Sequence, residues 1–80
     1  MKDIKVLGPG CPKCRELYKQ TELAIKEIGL DASLVKVTDI QEITGYGVMM
    51  TPALVVNGQV KICGKVPSLD QLKEMINSDN

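Results

Sequence analysis

Apolar positions along the chain change their spacing several times, and each change predicts a new element. The apolar run at residues 4–7 predicts a short buried strand, and the Gly-Pro-Gly sequence at 8–10 ends it. Pro12 suits the first turn of a helix, where no N–H is needed, and Gly29 is typical of a helix end. The apolar stripe of this helix recurs every three or four residues: Leu17, Thr21, Ala24, Ile25 and Ile28.

A second β-rich run and a short helix occupy the middle of the chain. Leu34, Val35 and Val37 predict the strand. Thr38 or Asp39 is then expected to cap a helix, because a glutamate stands three residues after Asp39 at the spacing of a capping box. Two glycines shortly afterwards end this helix.

The last part of the chain predicts a hairpin and a final helix. The runs at 53–56 and 59–62 are joined by Asn57-Gly58, the strongest short-range signal for an antiparallel hairpin. Ser68, with Gln71 three residues later, predicts the start of a helix. Its apolar stripe is Leu69, Leu72, Met75 and Ile76.

The resulting order, βαβαββα, predicts an α/β fold. The first two strands flank a helix, so a right-handed crossover makes them parallel, whereas the hairpin adds an antiparallel pair. We therefore expect a four-stranded mixed sheet with helices packed on both faces.

Composition narrows the class of protein. The 80 residues are expected to form one domain, 1–80, and ten basic residues balance ten acidic ones, with two aromatic residues in all. Nucleic-acid binding is therefore disfavoured. The longest apolar run, 48–56, is far shorter than the roughly 20 residues that span a bilayer, and the N-terminus does not resemble a signal peptide. We expect a cytoplasmic protein that does not bind membranes.

Cysteine usage points to the chemistry. Two of the three cysteines, Cys11 and Cys14, form a C-x-x-C pair, which in a reducing compartment usually indicates redox chemistry or metal binding. Histidine is absent from the sequence, which excludes His general-base catalysis and Cys-His nucleophile pairs.

The position of the pair at a helix start predicts different roles for its two sulfurs. The helix dipole and unpaired N–H groups stabilise a thiolate at Cys11, so we expect its pKa to be lowered. Cys14 lies in line with the apolar stripe and is expected to face inward. The accessible Cys11 is then the attacking thiol and Cys14 the resolving thiol.

Three motifs together resemble the thioredoxin and glutaredoxin superfamily, especially its small archaeal and bacterial members. These are the segment 10–14 (Gly-Cys-Pro-Lys-Cys), the segment 50–53 (Met-Thr-Pro-Ala) and Gly64. The resemblance spans essentially the whole chain and implies a thioredoxin-like fold of glutaredoxin size. It also implies that Pro52 is a cis-proline beside the active disulfide and that the backbone of Thr51 pairs with an extended substrate.

The resemblance implies a thiol-disulfide oxidoreductase that reduces protein disulfides. Its partners would be disulfide-containing substrate proteins and an electron donor of the thioredoxin-reductase type, and we expect a monomer that needs no bound cofactor or metal. Two features depart from thioredoxins: Gly10 replaces the Trp before the first cysteine, and the first strand carries no late acidic residue to help deprotonate Cys14.

Other interpretations remain open at this point. A carrier of Cu(I) or Zn could use the same C-x-x-C, although such ferredoxin-like chaperones end on a strand, and a redox-sensing protein would use identical chemistry. Cys63 is either a third redox thiol or, as we expect, a strand residue packed under the last helix. Met49 and Met50 are expected to pack in the core or at the rim of the site, and Tyr46 offers only weak evidence of a partner contact.

Overall fold

The computed structural model describes residues 2–10 and 12–78. Its elements are β1 (Lys2–Leu7), α1 (Pro12–Ile28), β2 (Ala32–Val37), α2 (Ile40–Gly45), β3 (Ala53–Val56), β4 (Gln59–Cys63) and α3 (Leu69–Ser78). This order confirms the predicted βαβαββα sequence. Among the described residues, no helix combines the length and apolar character needed to cross a membrane.

The four strands form one mixed sheet in the order β2-β1-β3-β4. β1 pairs with β2 in parallel, whereas β3 pairs with β1 and with β4 antiparallel. The two central strands, β1 and β3, contain most of the buried residues of the sheet, and all four residues of β3 are buried. The predicted mixed sheet is therefore confirmed, with the hairpin attached to β1 through its first strand.

Apolar side chains on the two faces of the sheet form two separate core layers. The larger layer lies under α1 and α3, and the smaller one lies under α2, so the prediction of helices on both faces is confirmed. The larger layer consists of Ile4, Val6, Leu17, Ala24, Leu54, Val56, Leu72 and Ile76. The smaller layer consists of Leu7, Val37, Ile43, Val48, Ala53 and Val55.

The residues predicted to cap helices and to form the hairpin turn do so in the structure. The Asp39 carboxylate accepts a hydrogen bond from the Gln41 N–H at 2.9 Å and so caps α2. Ser68 and Gln71 form the reciprocal capping box at the start of α3, with N···O distances of 3.2 and 3.3 Å. Asn57 and Gly58 both have positive φ, as a two-residue hairpin turn requires.

Tyr46, which follows α2, ties that helix to the sheet. Its hydroxyl accepts a hydrogen bond from Lys5 Nζ at 3.1 Å, and the Lys5 ammonium also lies 3.7 Å from the Asp3 carboxylate. The hydrogen bond to Tyr46, followed by the attraction of Asp3, raises the pKa of Lys5 above its ordinary value of 10.5. Tyr46 thus has a structural contact within its own chain.

Because the pKa of Lys5 is higher in the folded state than in the unfolded state, protonated Lys5 stabilises the fold. This contribution to the free energy of unfolding is fully present below pH 10.5 and is lost as the pH rises through the pKa of the folded state. We expect Tyr46→Phe to lower the urea midpoint of unfolding by a constant amount from pH 6 to 9, and by less above about pH 10.5. Circular dichroism at each pH measures this difference.

Tyr18→Phe is the matched control, since the Tyr18 ring lies 5.7 Å from Lys36 Nζ as a face contact that survives loss of the hydroxyl. Its difference from wild type should not depend on pH over this range. A Tyr46→Phe effect that grows at high pH would contradict the assignment of the shift to this hydrogen bond.

Candidate active site

Cys14 lies in the first turn of α1, where the sequence places its sulfur toward the core. It is 2% exposed and stands on the same buried stripe as Leu17 and Thr21, so the expected inward orientation is confirmed. Pro12 is the first residue of the helix, also as expected. Cys11 lies outside the described residues, and its predicted exposure and lowered pKa therefore stay predictions.

Gly8 provides the space that the Cys14 side chain occupies. A Cβ built on Gly8 would lie 2.3 Å from Cys14 Sγ and 2.8 Å from Cys14 Cβ, closer than real side-chain contacts allow. The Gly8 N–H donates a hydrogen bond to the Val37 carbonyl at 2.9 Å, which holds the backbone in place at the ends of β1 and β2. Sequence reasoning treated Gly8 only as a turn residue and missed this packing role.

Pro52 lies beside Gly8, at the same end of the two central strands. The antiparallel register pairs Leu7 with Ala53, so the residue after Leu7 and the residue before Ala53 come together where the two strands meet. Pro52 is buried, Thr51 is half-buried and the peptide bond between them is cis, as the resemblance implied. The cysteine turn and the Thr-Pro segment, 37 residues or more apart in sequence, therefore share one end of the fold.

Gly64 completes this edge from the other side. Its N–H donates a hydrogen bond to the Pro52 carbonyl at 2.8 Å, and its φ of +76° is one that glycine adopts without strain. Met50 packs directly against it, since a Cβ on Gly64 would lie 3.1 Å from Met50 Cε. We call Gly8, Pro52 and Gly64 the site edge.

The two methionines before the Thr-Pro segment are more exposed than expected. Met49 is 96% exposed, so the prediction of packing is wrong for it. Met50 is 61% exposed but covers Gly64, which is the rim position that the sequence allowed. Together they place flexible apolar surface beside the site edge.

The prediction that Cys63 packs under the last helix is wrong, because its side chain is exposed. Cys63 pairs with Ala53, whose side chain belongs to the core layer under α2, on the face of the sheet opposite α3. Directly paired residues of an antiparallel ladder point to the same face. Within the described ranges, no group of three or more Cys, Asp or Glu side chains gathers where it could hold a metal ion.

Comparison with known proteins agrees with this geometry. The family model described as "Thioredoxin domain" matches residues 2–77. The chain belongs to the thioredoxin domain family. It is 40% identical over 75 residues to the thioredoxin of Methanocaldococcus jannaschii, covering 94% of this chain and 86% of that protein. It is 36% identical over 76 residues to a thioredoxin of Methanothermobacter thermautotrophicus, covering 95% of this chain and 99% of that protein.

Membership of the thioredoxin family establishes the chemistry in general terms. The protein is a thiol-disulfide oxidoreductase, and its partners are a disulfide substrate and a reducing protein. The alternative of a soft-metal carrier is not favoured by these relatives.

Proposed function

We propose that this thioredoxin-family protein reduces disulfides in other proteins, with Cys11 as the nucleophile and Cys14 as the resolving thiol. The observation that carries the proposal is the site edge, which brings Gly8, Pro52 and Gly64 together beside the buried Cys14. Buried Cys14 is poorly placed to attack a large substrate. It is proposed to attack the sulfur of Cys11, which stands three residues earlier in the sequence.

The reaction proceeds by two thiol-disulfide exchanges. The Cys11 thiolate attacks one sulfur of the substrate disulfide, so that a Cys11–substrate bond forms, the substrate S–S bond breaks and the released sulfur takes up a proton. The Cys14 thiolate then attacks Cys11 Sγ, which forms the Cys11–Cys14 disulfide and releases the second substrate sulfur, again with uptake of a proton. Two electrons pass from the dithiol to the substrate.

Thr51 and Pro52 are proposed to receive the substrate chain. Thr51 is half-buried two residues before β3, beyond the last pair of the β1–β3 ladder, where an extended segment can pair with its backbone. The exposed Met49 and Met50 lie next to it and supply adaptable apolar contact area.

Proton transfer in this site is assigned to water. In β1, Lys5 points to the α2 face, where it bonds to Tyr46, and the strand offers no acidic side chain between Ile4 and Leu7. We propose that water reaching the site edge exchanges protons with the two sulfurs.

After each turnover the Cys11–Cys14 pair is a disulfide, which a reductant must convert back to two thiols. We propose a reductase of the thioredoxin-reductase type, acting on the Cys11–Cys14 disulfide in the cytoplasm, where thiols are kept reduced. We also propose that residues 1–80 act as one thioredoxin-like domain and as a monomer.

A redox titration tests the proposed pair. The metal-free protein is equilibrated in dithiothreitol or glutathione buffers, free thiols are trapped by alkylation, and the alkylated sites are counted by mass. We expect a reversible two-thiol transition at or below about −230 mV, which suits a cytosolic reductant.

Cys63→Ser is the matched variant for the titration, because it removes the exposed third thiol and leaves the pair intact. The two-thiol transition should be unchanged in this variant. A pair that never forms an intramolecular disulfide, or a transition that needs Cys63, would refute the proposed mechanism.

A further inference from the structure

A groove between α1 and β2 carries an excess of positive charge that the proposed reaction does not use. Its volume is about 470 Å³, and it is lined by Arg15, Glu16, Tyr18, Lys19 and Lys36. We call it the basic groove. Its charged side chains are all exposed, while Tyr18 is half-buried and packs against the larger core layer.

The groove is built by helix and strand geometry. Arg15, Tyr18 and Lys19 stand three and four residues apart, so they share one flank of α1. Lys36 pairs with Val6, whose side chain packs under α1, and therefore lies on the same face of the sheet as that helix. Its Nζ lies 5.7 Å from the centre of the Tyr18 ring, which holds the ammonium over the groove.

The positive charges of the groove have no ion pair with another described residue. The ion pairs among residues 2–10 and 12–78 join Lys5 to Asp3 and Lys73 to Glu27 and Asp70, and none involves Arg15, Lys19 or Lys36. Glu16 is the one carboxylate in the lining. The groove thus carries three cations against one anion on a chain whose formal net charge is zero.

The basic groove lies next to the site. Arg15 directly follows Cys14, and Lys36 directly precedes Val37, whose carbonyl accepts the hydrogen bond from Gly8. A substrate whose disulfide reached Cys11 would therefore bring its neighbouring side chains close to this groove. Gly64, with Met50 packed against it, lies at the opposite end of the site edge, toward β4.

We infer that the basic groove selects partner proteins with Asp or Glu side chains near the reacting disulfide. This inference rests on the proposed function and specifies its substrate class. Exposed, unpaired cations on the approach to a reactive sulfur attract carboxylates over a Debye length, about 10 Å at 0.1 M salt, and raise association rates. Nucleic acid would require a longer basic track, since such complexes neutralise many phosphates.

Disulfide-bonded peptides that differ only in their flanking residues test the inference. One peptide carries Asp and Glu beside the disulfide, one carries Ser and Gly, and one carries Lys. At low salt we expect kcat/KM to fall in the order acidic, neutral, basic, with about tenfold between the acidic and the neutral peptide. Near 1 M salt, where the Debye length is about 3 Å, the order should largely disappear.

Charge reversal in the groove should remove the preference. We expect Lys19→Glu combined with Lys36→Glu to lower the acidic-to-neutral ratio of kcat/KM about tenfold at low salt. Lys26→Glu is the control, because Lys26 is also an exposed lysine on α1 but lies in its last turn, two turns beyond Lys19, and does not line the groove. That variant should keep the wild-type ratio.

The outcomes separate this inference from the proposed function. If the wild-type protein reduces all three peptides at equal rates, or if Lys26→Glu changes the ratio as much as the double variant does, the basic groove does not select acidic partners. If the wild-type protein reduces none of the peptides, not even the neutral one, the proposed reductase function itself fails. Circular dichroism of each variant verifies that it folds.

Discussion

Alanine at position 8 is expected to lower the free energy of unfolding by about 3 kcal/mol and the rate of disulfide reduction by at least about tenfold. The added methyl carbon would lie 2.3 Å from Cys14 Sγ. Neither Gly8 nor Cys14 can move aside without a large loss of stability. Cys14 is buried in the first turn of α1, and the Gly8 N–H is bonded to Val37. Urea unfolding followed by circular dichroism, and the reduction rate of a disulfide peptide, measure the two effects.

Gly45→Ala is the control for this prediction. Gly45 is the last residue of α2, and a Cβ built on it meets no atom within 4 Å. Alanine there should leave stability unchanged or raise it by up to about 1 kcal/mol.

A double substitution tests the cause. In a Cys14→Ala background, Gly8→Ala should lower the free energy of unfolding by less than it does in the wild-type protein. The reason is that the closest contact, with the sulfur, has been removed. Equal costs in the two backgrounds, or a Gly8→Ala protein as stable as wild type, would show that Gly8 does not make room for Cys14.

Replacing each cysteine of the pair by serine should stop turnover at a different step. Cys11→Ser is expected to lower the rate by more than about a thousandfold, since the proposed nucleophile is gone. Cys14→Ser should retain the first attack but lack the thiol that releases the substrate. It should therefore accumulate a mixed disulfide, detected by mass as one peptide chain attached at Cys11.

Cys63→Ser provides the comparison for these two variants. Because Cys63 is exposed and lies on the α2 face of the sheet, its loss should change the rate by no more than about twofold. A mixed disulfide trapped at Cys63 or at Cys14 in place of Cys11 would contradict the assigned roles.

Much of the fold could be predicted because its signals are local. The Asn57-Gly58 turn, the Ser68–Gln71 capping box and the stripe on α1 each depend on residues within a turn or two of one another. The order of strands was not predictable in this way, because the pairing of β1 with β3 joins segments about 50 residues apart. No local pattern specifies which strand the hairpin joins.

The orientation of Cys63 shows why the hairpin was harder to predict than its turn. Val56 pairs with Gln59 and Val55 with Val60, but the register then shifts, so that Leu54 pairs with Ile62. A shift of one residue exchanges the two faces of a strand. Ile62 consequently packs in the larger core layer and Cys63 points away from it, which alternation counted from the turn would not reveal.

Predictions for the site succeeded where periodicity or motif resemblance applied. The stripe on α1 places Cys14 inward, and the resemblance implied the cis form of the Thr51–Pro52 bond. The packing of Gly8 against Cys14 and the basic groove both depend on contacts between elements distant in sequence. Only the folded arrangement of β1, α1 and β2 shows them.

The site edge also affects how much conformational entropy is lost when a substrate binds. Gly8 is bonded to Val37, and Gly64 is bonded to Pro52, so each segment is anchored directly at the end of a strand. A surface that folding has already ordered loses little conformational entropy when a partner arrives. More of the contact energy with a partner can therefore appear as affinity.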